Sequence, residues 1–343
     1  MTPKAPDGSQ TFSLAVDRAF AGMRLDFLVS HRLDGCSRAA AASSIRSGLV
    51  VVDGNAKRPG YRVKWGERIN GRIAAPPPVS FSPENLPIDI LYEDDHIIVV
   101  NKPPGLVVHP ACGHFSGTLV NALLYHFPDI EGVGAGGRPG IVHRLDQDTS
   151  GVMVVAKEVR SHNDLAAQFK TRQVSKSYLA LVWGRVDPQR GAICLPIGRH
   201  PVHRKQMSTR SPRGRRAETR WRVAEYLNGV TLLRLGLMTG RTHQIRVHCA
   251  AIQHPIVGDA VYGAKKANKM ISSEDGRKGR RLPPVTRQML HAWRLKFRHP
   301  VAGHDLAFEA PIPEDMRRVI DDLRNRRPKE AGQRDDRQPT VAR

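Results

Sequence analysis

Prolines divide this chain. Between residues 73 and 87 the sequence runs through Ala74, Ala75, Pro76, Pro77 and Pro78 to Ser80, Pro83 and Pro87. Proline has no backbone N–H and a fixed φ, so the stretch resists helix and is expected to be an extended linker. A small unit at 17–72 and a large one at 88–323 follow, with 1–16 expected as a flexible N-terminus and 324–343 as a flexible basic tail. With 343 residues, 40% of them apolar, the chain can bury a substantial core. No run approaches the ~18 apolar residues of a membrane helix. The opening MTPKAPDGSQ lacks the apolar stretch of a secretory signal. A soluble cytoplasmic protein, not a membrane partner, is expected.

Charge points to a polyanionic partner. Lys and Arg number 54 against 32 Asp and Glu, a formal net charge of +22. Such an excess repels itself, and phosphate neutralises it with release of counterions. Charge alone does not separate RNA from DNA or from an anionic membrane. Four cysteines, Cys36, Cys112, Cys194 and Cys249, are widely spaced and form no CxxC pair, so free thiols are expected and no metal is called for.

In the small unit, Arg24-Leu25-Asp26-Phe27-Leu28 has helical spacing. Ser37 is placed to cap a second helix through RAAAASSIR, and Gly48 to end it. A strand at Leu49–Val52, the turn Asp53-Gly54-Asn55 and a short strand around Arg68 and Ile69 follow. Arg38 and Arg46, with Lys57, Arg58, Arg62 and Lys64, surround it with positive charge. Such a module either grips a folded RNA backbone or merely caps its neighbour.

The large unit favours sheet. Strands are expected at Ile88–Leu91, Ile97–Val100, Gly151–Val155, Tyr178–Val182, Ala217–Val223 and Thr231–Leu237. Helices are expected at Leu119–Phe127, His162–Phe169 and Met316–Leu323. Many short strands with few long helices indicate a mixed α+β domain rather than a doubly wound fold. Neither a Walker A nor a GxGxxG sequence occurs.

Three segments could carry chemistry. The first is GIVHRLDQDTSG at 140–151, where extended chain would put Asp146 and Asp148 on one face. Two carboxylates can divide acid and base work or hold a metal, or they can simply cap nearby amides. The second is TGRTHQIRVH at 239–248. Arg246 there could direct a carboxylate at substrate, and Arg241 could bind RNA. His243 and His248, at i,i+5, are poorly spaced for a metal on one helical face and read better as structural. The third is KSYLA at 176–180, where Tyr178 could stack on a base or relay a proton, or be a half-buried strand residue.

Two further segments are strongly basic. The stretch 200–220, with Arg204, Lys205, Arg210, Arg213, Arg215, Arg216 and Arg220, reads as a hairpin that tracks phosphates. The stretch 262–281 reads as a flexible insertion.

Taken together, HRLDQDTSG, KSYLALVWG and LMTGRTHQIRVH, with NKPPGLVVHP, GDAVYG, LHA and FEAPIP, resemble the RluA/RluD-type ribosomal RNA pseudouridine synthases. RLDFL, IRSGLVVVDG and VKWGERI resemble the S4 RNA-binding domain. The resemblance runs from about residue 17 to 325. It implies an α+β fold with a curved, mainly antiparallel central sheet behind a small S4 domain. It implies a cofactor-free isomerase that turns specific uridines of structured RNA into pseudouridine. It assigns Asp146 as the catalytic carboxylate, Tyr178 as the base-stacking aromatic and Arg246 as the arginine paired with Asp146, and it places Arg144 in RNA contact or base flipping. RPGIVHRLD, LVNALLYHFPDI and PIGRHPVHRKQM resemble the subgroup acting on large-subunit rRNA, so that RNA or a pre-ribosomal particle is the expected partner of a monomer. Gln147 stands where a Lys is common. A related synthase acting on another rRNA helix or on tRNA, a non-catalytic ribosome-assembly factor, and a metal-dependent RNA hydrolase remain as rivals.

Overall fold

The computed structural model describes residues 9–73, 82–110, 116–134, 138–203, 206–263 and 285–325. Two units emerge, Met1–Ser80 and Phe81–Arg343. The expectations for Arg204, Lys205, Cys112, most of the 262–281 insertion and the basic tail fall on residues outside those described.

The front unit is a four-stranded antiparallel sheet beside two helices. β1 (Gln10–Ala15), β2 (Val50–Val52), β3 (Asn55–Ala56) and β4 (Arg68–Ile73) lie in the order β1-β4-β2-β3. α1 (Leu25–Arg32) and α2 (Arg38–Arg46) supply Leu25, Leu28, Val29, Ala41 and Ile45 to a core shared with Val50, Val52 and Ile69. Ser37 caps α2 by accepting from the Ala40 amide at 3.1 Å, as its sequence position indicates. One expectation fails here. Residues 10–15 are not a flexible lead-in: they pair with β4 along their whole length, and Phe12 and Val16 enter the core. The pairing partner lies almost sixty residues away in sequence, so local pattern carries little sign of it.

Part of the expected linker is also held. Ser82 and Glu84 bind the start of α3 (Leu119–His126): Asn121 Nδ2 donates to the Ser82 carbonyl at 2.8 Å, and the Gly117 amide donates to Glu84 at 3.0 Å.

The large unit is built on a nine-stranded sheet. Its strands are β5 (Ile90–Glu93), β6 (Ile97–Lys102), β7 (Ser150–Ala156), β8 (Ser175–Trp183), β9 (Arg190–Ile193), β12 (Thr219–Leu227), β13 (Val230–Leu237), β14 (Leu290–Arg298) and β15 (Asp305–Glu309). A separate hairpin pairs β10 (Gly198–Arg199) with β11 (Met207–Ser208), inside the basic segment read as a hairpin from sequence. The order is β5-β6-β7-β14-β8-β13-β12-β9, with β15 beside β14. Every pairing is antiparallel except the short β7–β14 contact. The α+β, mainly antiparallel expectation holds.

That parallel junction is tight. Gly151 has φ 119°, and a Cβ there would stand 2.1 Å from the Ala292 carbonyl oxygen, so only glycine lets the two strands meet.

Both faces of the sheet are covered, which is why β8 reads as an unbroken apolar run. Tyr178, Ala180 and Val182 point to one core, with Leu233 and Leu235 of β13 and with Ile245 and Cys249 of α5 (Gln244–Ala251). Leu179, Leu181 and Trp183 point to the other, against Met316, Val319, Ile320 and Leu323. Those four repeat at helical spacing on α6 (Glu314–Asn325), which buries that stripe. α4 (Val159–Thr171) completes the helices described. No helix among the described residues is long and apolar enough to cross a membrane.

Candidate active site

Asp146 ends the approach to β7. The chain does not run extended through it: the Thr149 amide donates to the Asp146 carbonyl at 3.1 Å, closing a turn over Gln147 and Asp148. The premise that Asp146 and Asp148 share one face of an extended strand is therefore wrong. The turn frees the Asp146 side chain to face a cavity of about 480 Å³ whose wall includes Arg144, Tyr178, Arg241, His243 and Arg246. That volume suits a nucleotide-sized ligand.

Arg246 arrives from α5, one hundred residues on. Its Nη1 donates to Asp146 Oδ2 at 3.2 Å. Its other two nitrogens are occupied by a residue the sequence reading did not name: Nε donates to Asp259 Oδ2 at 2.7 Å and Nη2 to Asp259 Oδ1 at 3.0 Å. Asp259 is fully buried, and its Oδ1 also accepts from the amides of Val261 and Tyr262 at 2.9 and 3.0 Å. The bidentate grip fixes the guanidinium plane and aims the remaining nitrogen at Asp146. Burial works against the charge on Arg246, but the hydrogen bonds and charge of Asp259, with Asp146 behind them, raise its pKa above the ordinary guanidinium value. The loop carrying Asp259 starts at Gly258, φ 77°, where a Cβ would meet the Arg287 carbonyl oxygen at 2.0 Å.

His243 and Tyr262 flank this pair. His243 precedes α5 in the left-handed region, φ 54°, an uncommon conformation for a residue with a Cβ. Its Nδ1 lies 2.9 Å from the Tyr262 hydroxyl and its Nε2 4.0 Å from Asp146 Oδ1. Burial pushes its pKa below the ordinary imidazole value, against the pull of Asp146. His243 thus stands at the site, whereas His248 is a buried structural group between Thr219 Oγ1 and the Leu195 carbonyl, at 2.9 Å from each. Gln244 is structural too, stapling the 239–241 turn to the Glu218 carbonyl and Thr219.

Tyr178 is 8% exposed and looks into the cavity from β8. Burial, with the negative charge of Asp146 near it, raises its pKa above the ordinary phenol value. Two residues earlier on the same face of the strand, Lys176 also lines the cavity, its pKa lowered by burial and by Arg172. His143 backs the turn: it stacks on Phe169 at 4.5 Å, accepts from the Val154 amide, and burial takes its pKa down to about 3.

Beneath the turn lies Lys102, fully buried at the end of β6. Its ammonium donates to the carbonyls of Pro103, Leu106 and Gln147, each at 2.8 Å. Burial pulls its pKa down to about 7, while Asp148 pulls the other way. The three acceptors match the three hydrogens of the charged form.

Of the expected RNA contacts, Arg144 is exposed at the cavity wall. Arg241 lines both this cavity and a second one of about 1020 Å³, where Arg199, Arg213 and Arg215 also face. In the front unit Arg46 is exposed, while Arg38 is engaged by Asp26 at 3.2 Å and lies over the Phe27 ring.

This geometry can be set beside known proteins. Residues 96–251 match the family model described as RNA pseudouridylate synthase, and residues 23–69 match that of the S4 domain. The chain is 42% identical over 322 residues to the ribosomal large subunit pseudouridine synthase D of Nitrosomonas europaea, covering 93% of this chain and 90% of that one. It is 42% identical to the protein of that name from Vibrio vulnificus, covering 88% and 91%, and 43% identical to an uncharacterized RNA pseudouridine synthase of Aquifex aeolicus, covering 89% and 95%. Among solved structures, human RNA pseudouridylate synthase domain containing 1 aligns with a TM-score of 0.50 at 28% identity, covering 70% of this chain and 96% of that one.

Proposed function

Since this chain belongs to the RNA pseudouridine synthases and carries an S4 domain, we propose that it converts particular uridines of large-subunit ribosomal RNA into pseudouridine, with Asp146 as the catalytic carboxylate. The observation that carries this reading is the buried Asp259–Arg246–Asp146 chain, which ends at a cavity also lined by Tyr178. A non-catalytic assembly factor would have no use for a carboxylate so held. The protein acts as a cytoplasmic monomer on free rRNA or a pre-ribosomal particle.

The reaction is an isomerisation: the C1′–N1 bond breaks, a C1′–C5 bond forms, and the C5 proton is exchanged for one on N1. Nothing is added or removed overall, so the chemistry calls for no cofactor. The target base first leaves its stack, at about a few kcal/mol, less in a loop or bulge. Arg144, exposed at the rim, and Arg241, between the two cavities, are suited to hold phosphates of the distorted strand. Asp146 then acts on the ribose, as nucleophile at C1′ or as base toward a ribose proton. Either route detaches uracil within the cavity, where its held position lets rejoining through C5 outrun escape.

Arg246 orients the Asp146 carboxylate and balances charge as it develops. Tyr178 stacks on the base. Its raised pKa keeps the phenol protonated at neutral pH, so it moves the C5 proton only by passing its own to an acceptor at the same time. Neutral His243, beside Asp146, adds a group that can take up a proton there.

The test is to map pseudouridine across rRNA from cells with and without this protein, and on transcripts incubated with it. Loss of particular large-subunit sites without the protein, restored by adding it, is the expected result. Unchanged modification, or metal-dependent strand cleavage, would overturn the reading.

A further inference from the structure

Two arginines beside the 146–149 turn are built alike. Arg246 has Nε and Nη2 on Asp259. Arg287, 6% exposed, has Nε and Nη2 on Asp315 at 2.6 and 2.8 Å. In each, the carboxylate fixes the guanidinium plane and leaves Nη1 aimed elsewhere. Arg246 Nη1 reaches the side chain of Asp146; Arg287 Nη1 reaches the main-chain carbonyls of Asp148 and Gln288, both at 3.0 Å. Between them, Lys102 holds the Gln147 carbonyl. Three consecutive residues are thus gripped by three buried cations, the first through its side chain and the next two through their backbone.

The Asp148 carbonyl has a particular place in this turn. It belongs to the same planar peptide unit as the Thr149 amide, which donates to the Asp146 carbonyl. Arg287 therefore holds one end of the peptide plane whose other end closes the turn onto Asp146. Gln288 Nε2 adds a longer contact, 3.4 Å, to Thr149 Oγ1. The partner carboxylate comes from elsewhere: Asp315 sits in the first turn of α6, whose apolar stripe packs on the sheet face opposite Tyr178.

We infer that Arg287, fixed by Asp315, is a positioning residue for the reaction. It sets the backbone of the catalytic turn, and through it the direction of the Asp146 carboxylate, from the far side of the sheet. The inference rests on Asp146 being the catalytic group. A displacement of about 1 Å at a reacting atom can lower a rate on the order of a hundredfold, so a peptide plane released by Arg287 is enough to be felt.

The experiment compares single-turnover rate constants, RNA affinity and melting temperature for the full chain and for Arg287→Ala, Arg287→Lys, Asp315→Asn, Leu323→Ala and Asp146→Asn. Arg287→Ala is expected to lower the rate about 10- to 100-fold and Asp315→Asn about 3- to 10-fold, with RNA affinity within about threefold of the parent. Arg287→Lys should recover part of the rate, because an ammonium can reach the Asp148 carbonyl or Asp315 but cannot reproduce the fork. Leu323→Ala loosens α6 without touching the pair, so it should lower the melting temperature and leave the rate unchanged below it. If Arg287→Ala does not fold, Asp315→Asn decides, since that carboxylate is 45% exposed and tolerates an amide. Parental rates in Asp315→Asn and Arg287→Lys, with Asp146→Asn inactive, would overturn the inference alone. Turnover by Asp146→Asn would instead remove the reading on which it rests.

Discussion

Replacing Asp259 with Asn tests whether the carboxylate behind the arginine matters to the site. The carboxylate accepts four hydrogen bonds: two from Arg246, at 2.7 and 3.0 Å, and two from the amides of Val261 and Tyr262. An asparagine has one oxygen. If that oxygen stays with the two amides and Arg246 Nη2, its NH2 faces Arg246 Nε, donor against donor, and the buried guanidinium loses one of its two carboxylate partners, keeping only Asp146. Breaking a buried pair in this way costs about 3–5 kcal/mol. For a unit of this size, at about 2–4 °C per kcal/mol, the melting temperature should fall by roughly 6–20 °C. The chemistry should suffer too, because Arg246 loses the Nε bond that, with the one from Nη2, sets its plane, and its 3.2 Å contact to Asp146 is no longer aimed by a two-point grip. A rate loss of about 10- to 100-fold, or about 1.4–2.8 kcal/mol of transition-state stabilisation, is expected, with RNA affinity nearly unchanged. Thermal melting, filter binding and single-turnover pseudouridine formation on an rRNA transcript measure the three quantities. A variant that melts within about 2 °C of the parent and turns over at the parental rate would refute the reasoning.

Other perturbations separate the remaining parts. Tyr178→Phe keeps the ring and removes the hydroxyl, so it should bind RNA normally and stall at removal of the C5 proton; normal product formation would remove the hydroxyl from the mechanism. His143 binds a proton near pH 6.5 in the unfolded chain but only near pH 3 when folded, so acid favours unfolding, and its contribution is lost as the pH falls through that window. Urea midpoints of the parent should therefore drop more between pH 7 and pH 4.5 than those of His143→Gln, and equal slopes would show that the imidazole is not held neutral. Deleting the whole front unit, residues 1–73, should weaken or misdirect rRNA binding more than it slows single-turnover chemistry on bound RNA; unchanged affinity and site choice would contradict a gripping role for that unit.

Legibility in the sequence followed a physical rule. Strands buried on both faces, such as β6, β7, β8 and β13, appear as apolar runs that lie close to their true positions. β14 is not legible as a strand although Leu295 and Phe297 alternate with Arg294, Lys296 and Arg298, because an irregularity between Ala292 and Arg294 shifts the period within the strand. α5 is hidden in the sequence because it inverts the usual pattern: Gln244, Arg246 and His248 are buried, their polar groups used on Asp146, Asp259, Thr219 and neighbouring carbonyls. The site divided in the same way. Spacing alone left Asp146, Tyr178 and Arg246 with structural alternatives, and it was the order of motifs that singled them out. Asp259 and Lys102 lie within the motifs GDAVYG and NKPPGLVVHP, but neither motif discloses what its charged residue holds, and nothing local marks Arg287. Each acquires its role only when a loop or strand from elsewhere brings its partner into reach.

The most direct measurement is single-turnover conversion by Asp146→Asn on an rRNA transcript that the parent modifies, with binding followed in parallel. Asparagine keeps the shape, and its oxygen can still accept from Arg246 Nη1, but it can neither attack carbon nor take a proton as a carboxylate does. Retained RNA binding with no pseudouridine formed is the predicted result. Pseudouridine appearing at the parental rate would contradict the account at its centre.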